Sequence, residues 1–447
     1  MEQENKILTG VIWKQILIFF FPILIGTFFQ QLYNTVDAVI VGRFAGTVAL
    51  AAVGGSAAII ISLLVGFFTG LSAGCTVLIS QLYGASRQKD LQDALHTTYA
   101  FGLLGGVIFS ILGIAISPGI MRIMNTPQES MQASILYVRI YFLGLVFVFI
   151  YNMGAAILRA LGDSKRPLVF LIICSFVNIV FDLLLVVVFH LGVLGVALAT
   201  LLSQAISAVL VTYWLMKHTP QVTLFLSQIK IHKHLLKNML KIGLPSGIQS
   251  STYNVSNMII QAAINLFGVG ATAAWAAVGK VDILFWMING SFGIAATTFV
   301  GQNYGAGLFD RVKRGTRTCL IMAVVTAIAV SAFLLTAGKL MLWLFTSDAE
   351  VVSIGVRMME VIVPGYVMFA FIEIFSASLR AQGDTLIPTI INIVLICGLR
   401  AIWIFTLGGK GSLDLIILCY PVSWAVCAIA IVWYYLKKRK TLGVSAK

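Results

Sequence analysis

A stripe of polar side chains interrupts the first apolar segment of the chain. Its members follow an i, i+3, i+4, i+7 spacing, which places them on one helix face, and they are Gln30, Tyr33, Asn34 and Asp37. An acidic side chain at the centre of a membrane helix costs roughly 2.5 to 3.5 kcal/mol, so it usually faces a wet cavity and marks an ion pathway. The alternative is that Asp37 lies near the helix end and is hydrated at the membrane surface.

A second carboxylate lies inside the fifth apolar segment. Asn178 and Asp182 are four residues apart there and share a helix face, and Thr200 lies at a similar depth in the next segment. Two carboxylates, an amide and a hydroxyl suit a proton or a hard cation such as Na⁺. We therefore predict an ion-coupling site made of Asp37, Asn178, Asp182 and Thr200.

The two aspartates also suggest how an ion could drive a conformational change. Two carboxylates in a partly dry pocket disfavour each other's charge, so at least one should hold a proton when no cation is bound. Binding Na⁺ or a proton would relieve the repulsion and favour a different packing of the first helix. Pro22 removes a backbone hydrogen bond of that helix and is the candidate hinge, although a static bend would suit the same residue.

The composition defines the environment of these side chains. Of 447 residues, 60% are hydrophobic and only 10% are charged, and apolar runs of about 20 residues recur along the chain. These values predict an integral membrane protein embedded in the lipid bilayer, with the first apolar run retained as an anchor. The net charge of +14 is spread over short loops, so nucleic acid is not an expected partner. The six cysteines lie in apolar segments without ligand spacing, which predicts core residues, and no cofactor is expected.

Hydrophobic periodicity predicts twelve membrane helices. Their expected ranges are 13–40, 48–80, 93–116, 133–157, 166–189, 193–216, 237–264, 272–302, 316–338, 354–379, 386–407 and 413–436. Lysine and arginine concentrate in the loops on the side that carries both termini, which predicts cytoplasmic termini. The longest polar interruption, 217–241, is interpreted as a cytoplasmic linker. His232 and His234 within it could bind a metal, but solvated histidines are the simpler interpretation.

The two halves of the chain repeat each other. LRALGD at 158–163 returns as LRAQGD at 379–384, and QLYGA at 81–85 returns as QNYGA at 302–306, at the same offset. The predicted fold class is an all-α membrane protein with twelve transmembrane helices in two six-helix bundles, related by a pseudo-twofold axis along the membrane normal. The predicted domains are an N-terminal bundle over 1–220, a cytoplasmic linker over 221–236 and a C-terminal bundle over 237–447. Asp37 and Asp182 correspond to Ile260 and Trp403, so the ion site is expected in the first bundle only.

Along essentially its full length the chain resembles the multidrug and toxic compound extrusion (MATE) transporters. The resemblance is carried by QQLYNTVD at 30–37, AAVG at 51–54, QLYG at 81–84, LRALGD at 158–163 and NIVFD at 178–182. It implies a V-shaped pair of six-helix bundles in the inner membrane of a prokaryote. Such a protein exports amphipathic, often cationic drugs or dyes in exchange for H⁺ or Na⁺, and a monomer is expected.

The resemblance also assigns roles to individual residues. In members with an ion site in the first bundle, the matching positions are Asp37, Asn178, Asp182 and Thr200. Polar residues that line the substrate cavity are matched by Tyr33, Tyr137 and Asn152, to which the polar stripe adds Gln30 and Asn34.

The second bundle departs from the family pattern. Its acid is Glu373 rather than an aspartate nearer Tyr366, which argues against a second sodium site there. Glu373 is either a proton or cation site that faces the cavity, or a buried acid with a partner near the inner end.

Two other functions compete with the efflux antiporter. A lipid-linked oligosaccharide flippase of the same superfamily handles a pyrophosphate and needs a cavity rich in basic residues. Here the helices supply mainly Arg139, Lys280, Arg357 and Arg400. A membrane enzyme would need a nucleophile with a base or a metal cluster, and the apolar segments offer no such set of His, Cys or Ser, so no enzyme is expected.

Overall fold

The computed structural model describes residues 5–407 and 412–441, and this part of the chain is almost entirely helical and contains no β-strand. Its long helices are α1 Ile12–Ala45, α2 Thr47–Gly84, α3 Gln88–Ile123, α4 Gln128–Ala160, α5 Lys165–Val188, α6 Gly192–Lys217, α7 Lys233–Asn265, α8 Val269–Gly305, α9 Phe309–Trp343, α10 Ala349–Ala381, α11 Leu386–Leu407 and α12 Leu413–Lys440. All but α7 are long and apolar enough to cross a membrane. The predicted all-α membrane protein is confirmed.

Most helices extend beyond their predicted ranges. For example, α9 begins at Phe309 rather than at 316, because apolar periodicity marks only the part of a helix that lipid would surround. The linker is correspondingly shorter than the polar stretch 217–241, since α7 already begins at Lys233. The connecting segment is held on α3: the Phe225 N–H donates to His96 Nε2 at 3.1 Å, and the His232 N–H donates to Thr97 Oγ1 at 3.1 Å.

The sequence repeats recur as matching turns. In both copies of the repeat, LRALGD at 158–163 and LRAQGD at 379–384, the N–H of the last residue donates to the carbonyl of the first. The distance is 2.9 Å from Asp163 to Leu158 and 3.0 Å from Asp384 to Leu379. The preceding glycine has a positive φ in each copy, +104° at Gly162 and +89° at Gly383. This conformation favours glycine, so the repeated motif specifies one helix-ending turn twice.

The chain forms two compact units that do not follow the predicted domains. We call Phe21–Gly247 the N-unit, and Met1–Phe20 with Ile248–Lys447 the C-unit. Both borders fall inside helices, next to Pro22 in α1 and shortly after Pro245 in α7. The units therefore differ from the predicted domains 1–220 and 237–447 in the placement of the first parts of α1 and α7.

The start of α7 belongs to the N-unit because its backbone lies directly against α2. A Cβ atom added at Gly74 would lie 2.3 Å from the carbonyl oxygen of Met239, and one added at Gly243 would lie 2.5 Å from the carbonyl oxygen of Leu71. Small residues permit this approach between membrane helices. The rest of the N-unit packs around buried aromatic rings, such as Phe68 and Phe149, whose centroids are 4.1 Å apart.

The start of α1 belongs to the C-unit through contacts with α8 and α9. Phe20 stacks on Phe292 with 4.1 Å between the ring centroids. Ahead of α1, the Ile7 carbonyl accepts a hydrogen bond from Arg311 Nη2 at 3.0 Å. The C-unit core is also aromatic, with Phe285 and Tyr366 stacked at 4.0 Å.

Candidate functional site

Helices α1 and α5 bring the two predicted aspartates together inside the N-unit. The helices approach closely at Gly26, where an added Cβ would lie 3.3 Å from Leu171 Cδ1. Each aspartate is followed by a π-helical segment, Val41–Ala45 in α1 and Leu183–Val188 in α5, and these two segments contact each other. Local π-helical turns frequently occur at functional sites because they redirect side chains within a helix.

The carboxyl groups of Asp37 and Asp182 interact directly with each other. Two ionised carboxylates only accept hydrogen bonds, so a bond between them requires that one holds a proton. Asp182 is 0% exposed and Asp37 is half-buried. No donor in the described part of the chain reaches Asp37 Oδ1 or either carboxylate oxygen of Asp182.

Asn178 adds two more polar atoms to this buried group. It lies one turn before Asp182 and is 1% exposed, and neither its oxygen nor its nitrogen has a hydrogen-bond partner among the described residues. More than nine in ten buried polar groups in proteins are satisfied, so such a cluster requires a physical explanation. A proton shared by the carboxyl groups, or a cation bound by carboxylate and amide oxygens, would satisfy it.

Thr200 lies on the neighbouring helix but is not joined to the pair. Helix α6 packs against both π-helical segments, which brings Thr200 to the same region of the N-unit. Its side chain is half-buried, and in the described residues no hydrogen bond connects its hydroxyl to Asp37 or Asp182.

Two tyrosine side chains interact with the carboxyl pair. Tyr33 and Tyr137 both interact electrostatically with Asp37, and Tyr137 also interacts with Asp182. Tyr141 interacts with both tyrosines and was not predicted as a site residue. The sequence feature that indicates it is its position on α4, one helical turn after Tyr137 and therefore on the same helix face.

The other predicted cavity residues form no hydrogen bond with the pair in the described residues. Gln30 and Asn34 are exposed, and Asn34 Nδ2 donates to Gln31 Oε1 at 3.4 Å. Asn152 Nδ2 donates to the Val148 carbonyl at 2.8 Å. Across residues 5–407 and 412–441, none of these three side chains hydrogen bonds to either aspartate.

Glu373 lies in the C-unit and has a charged neighbour. Its Oε1 is 3.9 Å from Arg380 Nη2. The carboxyl group also packs on Gly293, where an added Cβ would lie 2.1 Å from Oε1. Glu373 therefore belongs to the C-unit, whereas Asp37 and Asp182 belong to the N-unit.

The fold and this site together define a multi-pass membrane protein with a buried acidic pair on its membrane helices. The profile of the MatE family matches residues 22–184 and 245–406, so the chain belongs to the MatE family. This confirms the resemblance to MATE transporters on which the residue roles were based.

Individual relatives match over nearly the whole chain. The probable multidrug resistance protein YoeA of Bacillus subtilis (strain 168) is 31% identical over 433 residues, which are 95% of this chain and 93% of that protein. The multidrug export protein MepA of Staphylococcus aureus (strain MRSA252) is 22% identical over 97% of this chain and 96% of its own. The structure of a MOP superfamily transporter from Pyrococcus furiosus Vc1 (DSM3638) has a TM-score of 0.92 at 22% identity and 99% coverage of both chains, which supports the fold.

Proposed function

We propose that this protein is a secondary active efflux antiporter that exports amphipathic, often cationic organic compounds in exchange for H⁺ or Na⁺. The observation that carries the proposal is the pair of Asp37, which is half-buried, and Asp182, which is fully buried. Three of their four carboxylate oxygens have no donor in the described residues. The substrate class is supported by YoeA and MepA, which are named as multidrug resistance and export proteins. In this proposal the protein acts as a monomer in the inner membrane of a prokaryote, with both termini in the cytoplasm.

The same pair supports two modes of coupling. A proton on one carboxyl group allows a hydrogen bond to the other and removes the repulsion between two buried negative charges. Na⁺ would achieve the same neutralisation through oxygens of Asp37, Asp182 and Asn178, which are hard ligands that this ion accepts. In both modes an ion that binds one packing of α1 more tightly than another shifts the population between them.

We expect cells that express the protein to accumulate less ethidium and less of other, unrelated cationic dyes than cells without it. Amphipathic cations suit a cavity that contains acids and aromatic rings. The measurement is dye fluorescence in cells with and without an uncoupler, which should abolish the difference if a proton gradient drives export. Vesicles with an imposed Na⁺ gradient then test the second ion.

The dye assay also separates the competing functions. Transport restricted to one small anionic solute would contradict the proposal. Absence of dye export, combined with movement of a lipid-linked oligosaccharide across vesicle membranes, would instead support the flippase.

Pro22 is proposed as the hinge of α1. It lies at the border between the two compact units, and its ring prevents the backbone hydrogen bond that a regular helix would make there. We expect Pro22→Ala to slow ion-driven dye export several-fold while it changes dye binding by the purified protein little. Pro118→Ala in α3 is the matched control, since Pro118 also lies inside a helix. A wild-type export rate for Pro22→Ala would indicate a static bend.

A further inference from the structure

The C-unit contains a cavity of about 430 Å³ that the proposed function does not use. This volume is in the range of small-molecule sites, roughly 300 to 1,000 Å³. The walls include four large aromatic side chains and two charged groups, namely Trp275, Trp286, Tyr420, Trp424, Asp282 and Arg400. Lys280 is exposed and does not line the cavity, so its cation is Arg400.

Arg400 is buried, and its partners among the described residues are neutral. The side chain is 4% exposed, and its Nε donates to Ser423 Oγ at 3.0 Å. The guanidinium lies 4.0 Å from the Tyr420 ring centroid and 5.5 Å from that of Trp424. In the described part of the chain Arg400 forms no salt bridge, unlike Arg357 and Arg380 of the same unit. A guanidinium stays charged, and a buried charge without a counter-charge favours an anionic ligand.

Asp282 presents an acceptor on another part of the wall. Its Oδ2 accepts a hydrogen bond from Trp286 Nε1 at 2.9 Å, whereas its buried Oδ1 has no donor among the described residues. The Trp286 and Trp424 ring centroids are 6.0 Å apart, and Trp424 in turn lies beside Arg400. Two indole rings therefore connect the acceptor of Asp282 to the cation of Arg400, and no salt bridge joins the two charged groups.

We propose that this cavity binds an aromatic compound that carries both an anionic group and an amine. The anion would pair with Arg400, the amine would donate to Asp282 Oδ1, and the aryl group would pack on the indole rings between them. This ligand class goes beyond the proposed export of cations. All residues of the site belong to the C-unit, whereas the aspartate pair belongs to the N-unit.

Three dansyl compounds test the proposal on the purified full-length protein. Nα-dansyl-lysine has a carboxylate and an ammonium group, dansylcadaverine is the same molecule without the carboxylate, and Nα-dansyl-norleucine lacks the ammonium group. Binding is measured by energy transfer from tryptophan to the dansyl group. We expect Nα-dansyl-lysine to bind about tenfold more tightly than either single-charge compound, because each loses one charge-assisted hydrogen bond. Equal affinities for all three compounds would overturn the proposal.

Two substitutions assign the charges to their residues. Asp282→Asn keeps the acceptor for Trp286. It should lower the affinity for dansylcadaverine and Nα-dansyl-lysine about tenfold and leave the affinity for Nα-dansyl-norleucine unchanged. Arg400→Gln should lower the affinity for the two compounds that carry a carboxylate, Nα-dansyl-lysine and Nα-dansyl-norleucine, and leave the affinity for dansylcadaverine unchanged. Arg357→Gln is the matched control, since Arg357 is an exposed arginine of the C-unit. Loss of all three compounds in a folded Asp282→Asn variant would contradict the assignment.

The wild-type ranking needs no variant, so it stands even if Arg400→Gln fails to fold. Repeating it in an Asp37→Asn background separates this inference from the proposed function. We expect the ranking to persist there whether or not the background still exports dyes. A ranking lost with Asp37→Asn would mean that the compounds bind at the N-unit pair instead.

Discussion

Replacing either aspartate of the N-unit pair by asparagine should abolish ion-driven export and leave a folded protein. Asparagine has nearly the same volume as aspartate but cannot exchange a proton, and it removes one of the two charges that a bound Na⁺ would neutralise. Asp182 is fully buried, and no side chain other than Asp37 is paired with its carboxylate oxygens in the described residues, so its charge stabilises no other contact of the fold. We therefore expect the substitution to affect coupling far more than stability.

Reconstituted vesicles give the measurement. Vesicles that contain the wild-type, Asp37→Asn or Asp182→Asn protein would be loaded with a dye. Each preparation would then be given either a pH gradient or a Na⁺ gradient. The gradient that drives the wild-type protein identifies the ion, and both variants should fall to the rate of empty vesicles under it. Asp310→Asn is the control, because Asp310 is an exposed carboxylate at the start of α9.

Wild-type rates in both single variants would contradict an ion site at this pair. Glu373 would then be the next acid to test. Its proximity to Arg380 predicts a smaller effect, since a carboxylate with a positive neighbour is already neutralised in part.

The site could be predicted from the sequence only as far as single helices determine it. The spacing of Asn178 and Asp182 places them on one face whatever surrounds them. Contact between Asp37 and Asp182 depends instead on how α1 packs against α5, and no pattern in either segment specifies that packing. Thr200 is assigned only from its depth in α6 and by resemblance: its helix packs against both π-helical segments, its hydroxyl is not hydrogen bonded to the pair in the described residues, and its role in the ion site stays a prediction.

The cavity of the C-unit illustrates the same limit. Asp282 and Arg400 are visible in the sequence as polar residues in apolar segments, yet nothing in their spacing indicates that two indole rings separate them. Their cavity is defined by residues from α7, α8, α10, α11 and α12, so it exists only after packing.

The positions of the membrane helices could be predicted from the sequence, whereas the borders between the N-unit and the C-unit could not. Apolar length identifies a membrane helix directly, because the bilayer fixes that length. Membership of a unit depends on contacts between helices, and in α7 two glycines flank Pro245. Gly243 and Gly247 are spaced by four residues, as are Gly70 and Gly74 on α2. Such paired spacing favours close helix contact.

Filling this glycine contact should destabilise the N-unit strongly. A Cβ at Gly74 would lie 2.3 Å from the carbonyl oxygen of Met239, so Gly74→Ala must push two backbones apart rather than move a side chain. Overpacking typically costs about 1 to 3 kcal/mol, and a clash between backbones should reach the upper end. Thermal unfolding of the purified protein in detergent would measure the loss, and Gly119→Ala is the control because nothing lies within 4 Å of its added Cβ.

A second substitution distinguishes a backbone clash from a side-chain clash. Gly113→Ala also meets a neighbour, since its added Cβ would lie 1.9 Å from Phe142 Cδ1, but that neighbour is a ring. Shortening it with Phe142→Leu should restore much of the lost thermal stability at Gly113. Met239→Ala should restore none at Gly74, because the oxygen that clashes belongs to the main chain. Recovery of Gly74→Ala by Met239→Ala would show that side chains, and not the backbones, set the distance between α2 and α7.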